Sequence, residues 1–181
     1  MSRQDDDIAA PPWQDIAGEA DYSMDRANDF EELARDRAEL ASLSADDLAD
    51  LVRIDRKFTG GDRAAYMERK VREMLEDSGI RVSLVARNDG VVSGFVMARI
   101  DFGDFGRMEP VAVIDTIGVD PDFAGRGVGS ALLSQLLANL SALQVERVET
   151  AVSRENFDLL GFLYRIGFQP SQRLAFRKTV D

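Results

Sequence analysis

Apolar and polar positions alternate along this chain with two different periods, and the period marks the elements. From about residue 44 to 77 apolar residues recur every three or four positions. Ser44 reads as an N-cap with Asp46 and Asp47 in the first turn. The helix behind it carries Leu48, Leu51, Val52 and Phe58 on one face, with Ile54 beside them. Thr59-Gly60-Gly61-Asp62 is a turn. A second helix, about Arg63 to Asp77, directs Tyr66, Met67, Val71, Met74 and Leu75 inward and stops at Gly79. The period then drops to two. Residues 81–87 and 91–100 are strands around Asn88-Asp89-Gly90, a hairpin signal. Gly94 within the second marks a bulge or a close approach. After a Gly- and Asp-rich loop at 101–108, Val111 to Val119 is the next strand. Val128, Leu132, Leu136 and Leu140, flanked by Leu133 and Leu137, predict an amphipathic helix lying on a sheet. Gln144 to Val152 is a strand, Asn156 to Ile166 a helix stopped by Gly167, and Leu174 to Val180 a final strand. Phe30 to Leu43 is ambiguous: Phe30, Leu33, Arg37 and Leu40 fit a helix, and residues 39–43 fit a short strand.

Residues 1–28 show little periodicity, contain Pro11-Pro12, and read as an acidic flexible extension. Trp13, the single tryptophan, is the one anchor-like residue there. Residues 1–30 hold eight acids and two bases, and residues 31–181 hold 25 acids and 20 bases, so over half of the net charge of −11 belongs to the first sixth of the chain. That balance argues against nucleic acid as a partner. The N-terminus has acids where a signal peptide has bases. No apolar run approaches the ~18 residues of a membrane span. The expectation is a soluble cytoplasmic protein, a body at 29–181 and no membrane association. There is no cysteine and no histidine, which removes thiolate nucleophiles, Ser-His-Asp catalysis and histidine-based metal sites. No metal is expected. Proton transfer must use carboxylates, Tyr, Lys, backbone or water.

The stretch from Ile114 to Leu137 carries the chemistry. A β-branched run ends at Pro121, and Gly125, Gly127 and Gly129 open the amphipathic helix. Glycine lets the backbone approach a ligand closely, and the first N–H groups of a helix lack internal acceptors. This is an anion-binding end, and a phosphate-bearing ligand is the first expectation. A plain strand–loop–helix corner is the alternative. The phosphate-loop pattern G-x-x-x-x-G-K-[ST] fails for want of a lysine. The dinucleotide pattern fails at Ser130, counted from Gly125, and at Leu132, counted from Gly127.

Residues 121–129, Pro-Asp-Phe-Ala-Gly-Arg-Gly-Val-Gly, resemble the acyl-CoA-binding motif of the GCN5-related N-acetyltransferases, whose pattern Gln/Arg-x-x-Gly-x-Gly/Ala falls on Ala124 to Gly129. Asn156 to Phe168 is similar to that family's Asn…Leu-Tyr-x-x-x-Gly-Phe block, and the Asn88-Asp89-Gly90 hairpin with Gly94-Phe95 also fits. The resemblance covers about residues 37–180. It departs at Ala124, where the family usually has Arg or Gln; Arg126 is available for positive charge.

The resemblance implies an α/β (α+β) fold with a mixed, mostly antiparallel sheet of six to seven strands flanked by helices. It implies acetyl-CoA as cosubstrate and transfer of acetyl to a primary amine, on a small molecule or a protein, in a ternary complex. Amides of Gly125, Arg126, Gly127, Val128, Gly129 and Ser130 would cradle the pyrophosphate, with one side-chain contact in doubt at Ala124. Ile117, Gly118 and Val119 would pair with the pantetheine arm as an added strand, which requires an open edge. Asn156 would touch the cofactor, or simply cap its helix. Tyr164 would protonate the departing thiolate, or serve as core packing. An amine of pKa ~10.4 needs a base near neutral pH. Asp115, two residues from Ile117 and so expected on its face, is the first candidate, with Glu109 second. Thr59 to Arg63 lies where the family often shapes its acceptor pocket. A non-catalytic acyl-CoA-binding regulatory module is the alternative function, and a homodimer is compatible.

Overall fold

The structure, a computed structural model, describes residues 38–76, 82–102, 109–172 and 178–180. Five strands lie in chain order across one sheet: β1 (Glu39–Ser42), β2 (Leu84–Asn88), β3 (Val91–Asp101), β4 (Val111–Val119) and β5 (Arg147–Thr150). Pairing is antiparallel from β1 to β4, and β5 runs parallel to β4. The helices are α1 (Leu48–Thr59), α2 (Ala64–Glu76), α3 (Val128–Ala142) and α4 (Phe157–Arg165). This is the mixed, mostly antiparallel α+β architecture expected, with five strands among the described residues rather than six to seven. The ambiguous 39–43 segment is the first strand. The strand expected at 174–180 and the extension at 1–28 fall largely or wholly outside the described residues.

Local chemistry explains the element ends. Ser44 N and Oγ each lie 2.9 Å from Asp47 Oδ2, and buried Asp47 also pairs with Arg87 of β2, fastening the start of α1 to the sheet. Gly60 ends α1 at φ +68°. Leu51 and Ile54 are fully buried. Phe58, expected on the same face, is 60% exposed, because the buried stripe stops at Ile54 and the last turn runs into solvent. Asp89 and Gly90 both take positive φ, as a two-residue hairpin turn requires.

Two apolar layers sandwich the sheet. Leu84, Ala86, Val96, Ala98, Ala112 and Ile114 face α3, whose Val128, Leu132, Leu136 and Leu140 are buried against them, and Leu163 of α4 joins this layer. Val85, Val92, Phe95 and Met97 face the other way, onto Leu51 and Ile54 of α1 and Met67, Val71 and Met74 of α2.

Two irregularities shape the strands. In β3, Ala86 pairs with Gly94 and Arg87 with Val92, so Ser93 is extra. Its Oγ lies 2.6 Å from Asn88 Oδ1 and 3.2 Å from Ala86 O. Gly94 beside it provides a close approach: an added Cβ would stand 2.9 Å from Val128 Cγ1 and 3.0 Å from Gly118 O. In β4, Met97 pairs with Thr116 and Ala98 with Ile114, so Asp115 is extra. The extra residue shifts the alternation. Ala112 and Ile114 face α3 before it, and Ile117 and Val119 face α3 after it.

Candidate active site

β4 and β5 pair only from Val111/Arg147 to Ile114/Thr150. Beyond that point β5 ends, while β4 continues to Val119, bonded to β3 alone. The Asp120 N–H donates to Ser93 O at 2.8 Å. Strand alternation back from that bond turns the amides of Gly118 and Thr116 toward β3 and leaves the N–H and C=O of Ile117 and Val119 on the open edge. An extended ligand can therefore pair with Ile117 and Val119. Gly118 does not present its backbone there; its lack of a side chain makes room for Phe95, whose Cε1 would lie 2.9 Å from an added Cβ.

The open edge leads straight into the glycine loop. Pro121–Phe123 forms one 3₁₀ turn. Gly125 and Gly127 then take φ of +73° and +82°, a region that L-residues disfavour. The Ala131 N–H bonds Gly127 O at 2.9 Å, the first bond of α3. Among the described residues, the amides of Val128, Gly129 and Ser130 before it have no backbone acceptor, and with the helix dipole they form an anion site. One amide expected in this cradle is engaged, since Arg126 N donates to Phe123 O at 3.4 Å; the Ala124 amide just before the cradle donates to Pro121 O at 3.1 Å. The Arg126 guanidinium lies over the Phe123 ring at 5.2 Å, so its charge stays at the loop. An added Cβ at Gly129 would meet Phe162 Cζ of α4 at 3.2 Å, which brings α4 against the first turn of α3.

Asn156 caps α4, accepting from Leu159 N at 3.2 Å through Oδ1. Asp115 is not on the face of Ile117. The bulge breaks the alternation, and Asp115 pairs with Arg99, whose neighbours Ala98 and Ile100 face α3. One Asp115 oxygen takes Arg99, and the other, Oδ2, is buried with no hydrogen-bond partner among the described residues. Glu109 is exposed, 3.5 Å from Arg147.

Tyr164 is 57% exposed on α4. Only Arg165 and Ile166 separate it from Gly167, where the family block places three residues. The position in step with Gly167-Phe168 is Leu163, which is buried at 7% exposure in the layer beneath α4.

One cluster carried no sequence signal. Asp120, 1% exposed at the end of β4, accepts from Arg53 Nη1, from Lys57 Nζ at 2.7 Å and from Asp122 N at 3.1 Å. Burial opposes its charge. Hydrogen bonds from Lys57, the Asp122 amide and Arg53 outweigh that and hold the carboxyl below its ordinary value. Hydrogen bonds to the Asp120 carboxylate and then to the Asp122 carboxylate raise the Lys57 ammonium above its ordinary value. The partners stand 63 to 67 positions apart in the chain, so no spacing rule could pair them.

A forked sheet whose free edge runs into a helix N-terminus offers room for an extended ligand ending in an anionic group. The Acetyltransferase (GNAT) family model matches residues 48–168, and the chain belongs to that family. A mycothiol acetyltransferase from Clavibacter michiganensis subsp. michiganensis is 33% identical over 137 residues, which cover 72% of this chain and 42% of that protein. This chain thus spans under half of that relative's length. Among solved structures, an aminoglycoside N-acetyltransferase, AAC(6')-Iy in complex with CoA, superposes with a TM-score of 0.67 at 21% identity, covering 78% of this chain and 94% of that one. A transcriptional regulator from Bacillus halodurans C-125 superposes with a TM-score of 0.68 at 16% identity, covering 78% and 99%. These two likenesses are of fold.

Proposed function

We propose that this protein is an acetyl-CoA-dependent N-acetyltransferase acting on a primary amine by direct attack in a ternary complex. The observation that carries it is the fork between β4 and β5, with Ile117 and Val119 on its open edge and the free amides of Val128 to Ser130 at its end. The pantetheine arm would pair with that edge, and the pyrophosphate would sit on the helix N-terminus. The amine nitrogen attacks the thioester carbonyl carbon, the C–S bond breaks, and CoA leaves as thiolate. The ammonium proton passes to a carboxylate, for which the unpartnered Asp115 Oδ2 is the candidate and exposed Glu109 the second. Tyr164 is the group assigned to protonate the thiolate. It is supported by its place on the helix that packs against α3. Asn156 would contribute through its amide nitrogen, since Oδ1 is spent on the cap.

The likeness to a mycothiol acetyltransferase and to an aminoglycoside N-acetyltransferase favours small amines as the first acceptors to try. Release of CoA from acetyl-CoA is measured over a panel of amines, beside a thermal shift with acetyl-CoA. Turnover with any amine supports the proposal, and absence of both signals overturns it. A second reading, an acyl-CoA-binding regulatory module, is favoured by one observation: Tyr164 stands one position out of step with Gly167-Phe168. Thermal stabilisation without turnover would select that reading.

A further inference from the structure

The Asp120 cluster lies outside the catalytic groups, yet it touches the loop that would hold the cofactor. One carboxylate oxygen, Oδ1, takes both Lys57 Nζ (2.7 Å) and the backbone amide of Asp122 (3.1 Å). The other, Oδ2, takes Arg53 Nη1. Arg53 in turn donates to Val92 O at 2.7 Å and to Asp50 at 3.0 Å. Lys57 reaches a second loop residue, Asp122 Oδ2, at 2.7 Å. The Asp120 main chain is fixed as well, through its N–H on Ser93 O and its carbonyl on Phe123 N, both at 2.8 Å. Helix α1, strand β3 and the first turn of the glycine loop are thus joined at one buried side chain.

That turn fixes where the following residues begin. Ala124 N closes on Pro121 O, and two positive-φ glycines then carry the chain into α3. Glycine alone would leave this path loose, because it tolerates many torsions. The rigidity has to come from the loop's upstream end. We propose that Asp120 is a positioning residue for the pyrophosphate: by clamping the Pro121–Phe123 turn to α1 it holds the amides of Val128 to Ser130 where the anion binds. This rests on the acetyl-CoA reading above.

Asp120→Asn separates this from the alternatives. The amide oxygen can still accept from Asp122 N, but the ionic clamp to Arg53 and Lys57 is lost. Electrostatics alone predicts tighter CoA binding, since a negative charge near an anion site is removed. Lost positioning predicts the opposite sign. The expected result is a CoA dissociation constant about tenfold weaker by calorimetry, since small misplacements carry large factors. The ratio of kcat/KM for acetyl-CoA to kcat/KM for S-acetylpantetheine, which lacks the pyrophosphate, should fall by a similar factor. A general structural role would depress both donors alike and leave that ratio where it was. An unchanged ratio, or tighter CoA binding, overturns the proposal. If Asp120→Asn fails to fold, Lys57→Gln at the solvent side of the clamp is expected to weaken CoA about threefold, with the loss persisting at about 0.5 M salt, where the missing positive charge alone is screened; no change, or a loss abolished by salt, overturns it equally. Wild-type protein that binds no CoA sinks the acetyl-CoA reading itself, a distinct outcome.

Discussion

The Thr150 hydroxyl donates to the Ile114 carbonyl at 3.0 Å, on the last pair of residues that β4 and β5 share. A side chain thereby closes the ladder at the point where the two strands part. Removing it should loosen the crotch of the fork. Thr150→Val keeps the shape and loses the bond, at an expected cost of about 1 kcal/mol. For a domain of this size that corresponds to a melting temperature lower by roughly 2–4 °C. An unchanged melting curve would show that the bond is replaced by water.

Gly127 stands at φ +82° as the N-cap of α3. Alanine there meets the left-handed penalty of about 1–2 kcal/mol. Gly127→Ala should lower the melting temperature and weaken the thermal shift given by acetyl-CoA. Gly94→Ala tests a different cause, a Cβ pressed 2.9 Å from Val128 Cγ1 and 3.0 Å from the Gly118 carbonyl. It should cost about 1–3 kcal/mol by overpacking. Denaturant midpoints read both.

Asp115→Asn should reduce kcat/KM by about a hundredfold or more if this carboxylate takes the ammonium proton. A near-normal rate would transfer the role to Glu109 or to water.

Tyr164→Phe should lower kcat by about tenfold or more while the CoA dissociation constant stays within twofold. Full activity in this variant would remove the phenol from the mechanism, in line with its one-position offset from Gly167-Phe168.

The Asp120 carboxyl is held below its ordinary value, so the sign of its pH dependence is fixed. Its contribution to stability is present above the unfolded value, about 3.9, and is lost as pH falls through the lower folded value. The melting-temperature gap between wild type and Asp120→Asn should therefore be flat from about pH 5 to 8 and shrink below about pH 4. A gap undiminished at about pH 3 would mean the clamp is not ionic.

Much of this architecture follows from local rules. Asn88-Asp89-Gly90 specifies its turn through two positive-φ residues. The leucines of α3 specify which face lies on the sheet, and Gly125 and Gly127 mark the loop by the torsions they permit. What stayed hidden depends on long-range pairing. No alternation count reveals that Asp115 is extra in β4, because the register is set jointly with β3. The Asp120 clamp draws on α1, more than sixty positions upstream. Phe58 has the right spacing for the core and is left in solvent because the buried stripe ends at Ile54.

The bulge at Asp115 makes β4 intolerant of changes in length. It works as a frameshift written into the strand: the residues that meet α3 fall on even numbers before it, Ala112 and Ile114, and on odd numbers after it, Ile117 and Val119. Deleting one residue there would bring the two halves into a single phase. Ile117 and Val119 would then rotate away from α3, and the backbone groups on the fork's open edge would turn toward β3. A chain that drifts freely in sequence must still conserve the residue count between Ile114 and Asp120, whatever side chains occupy it.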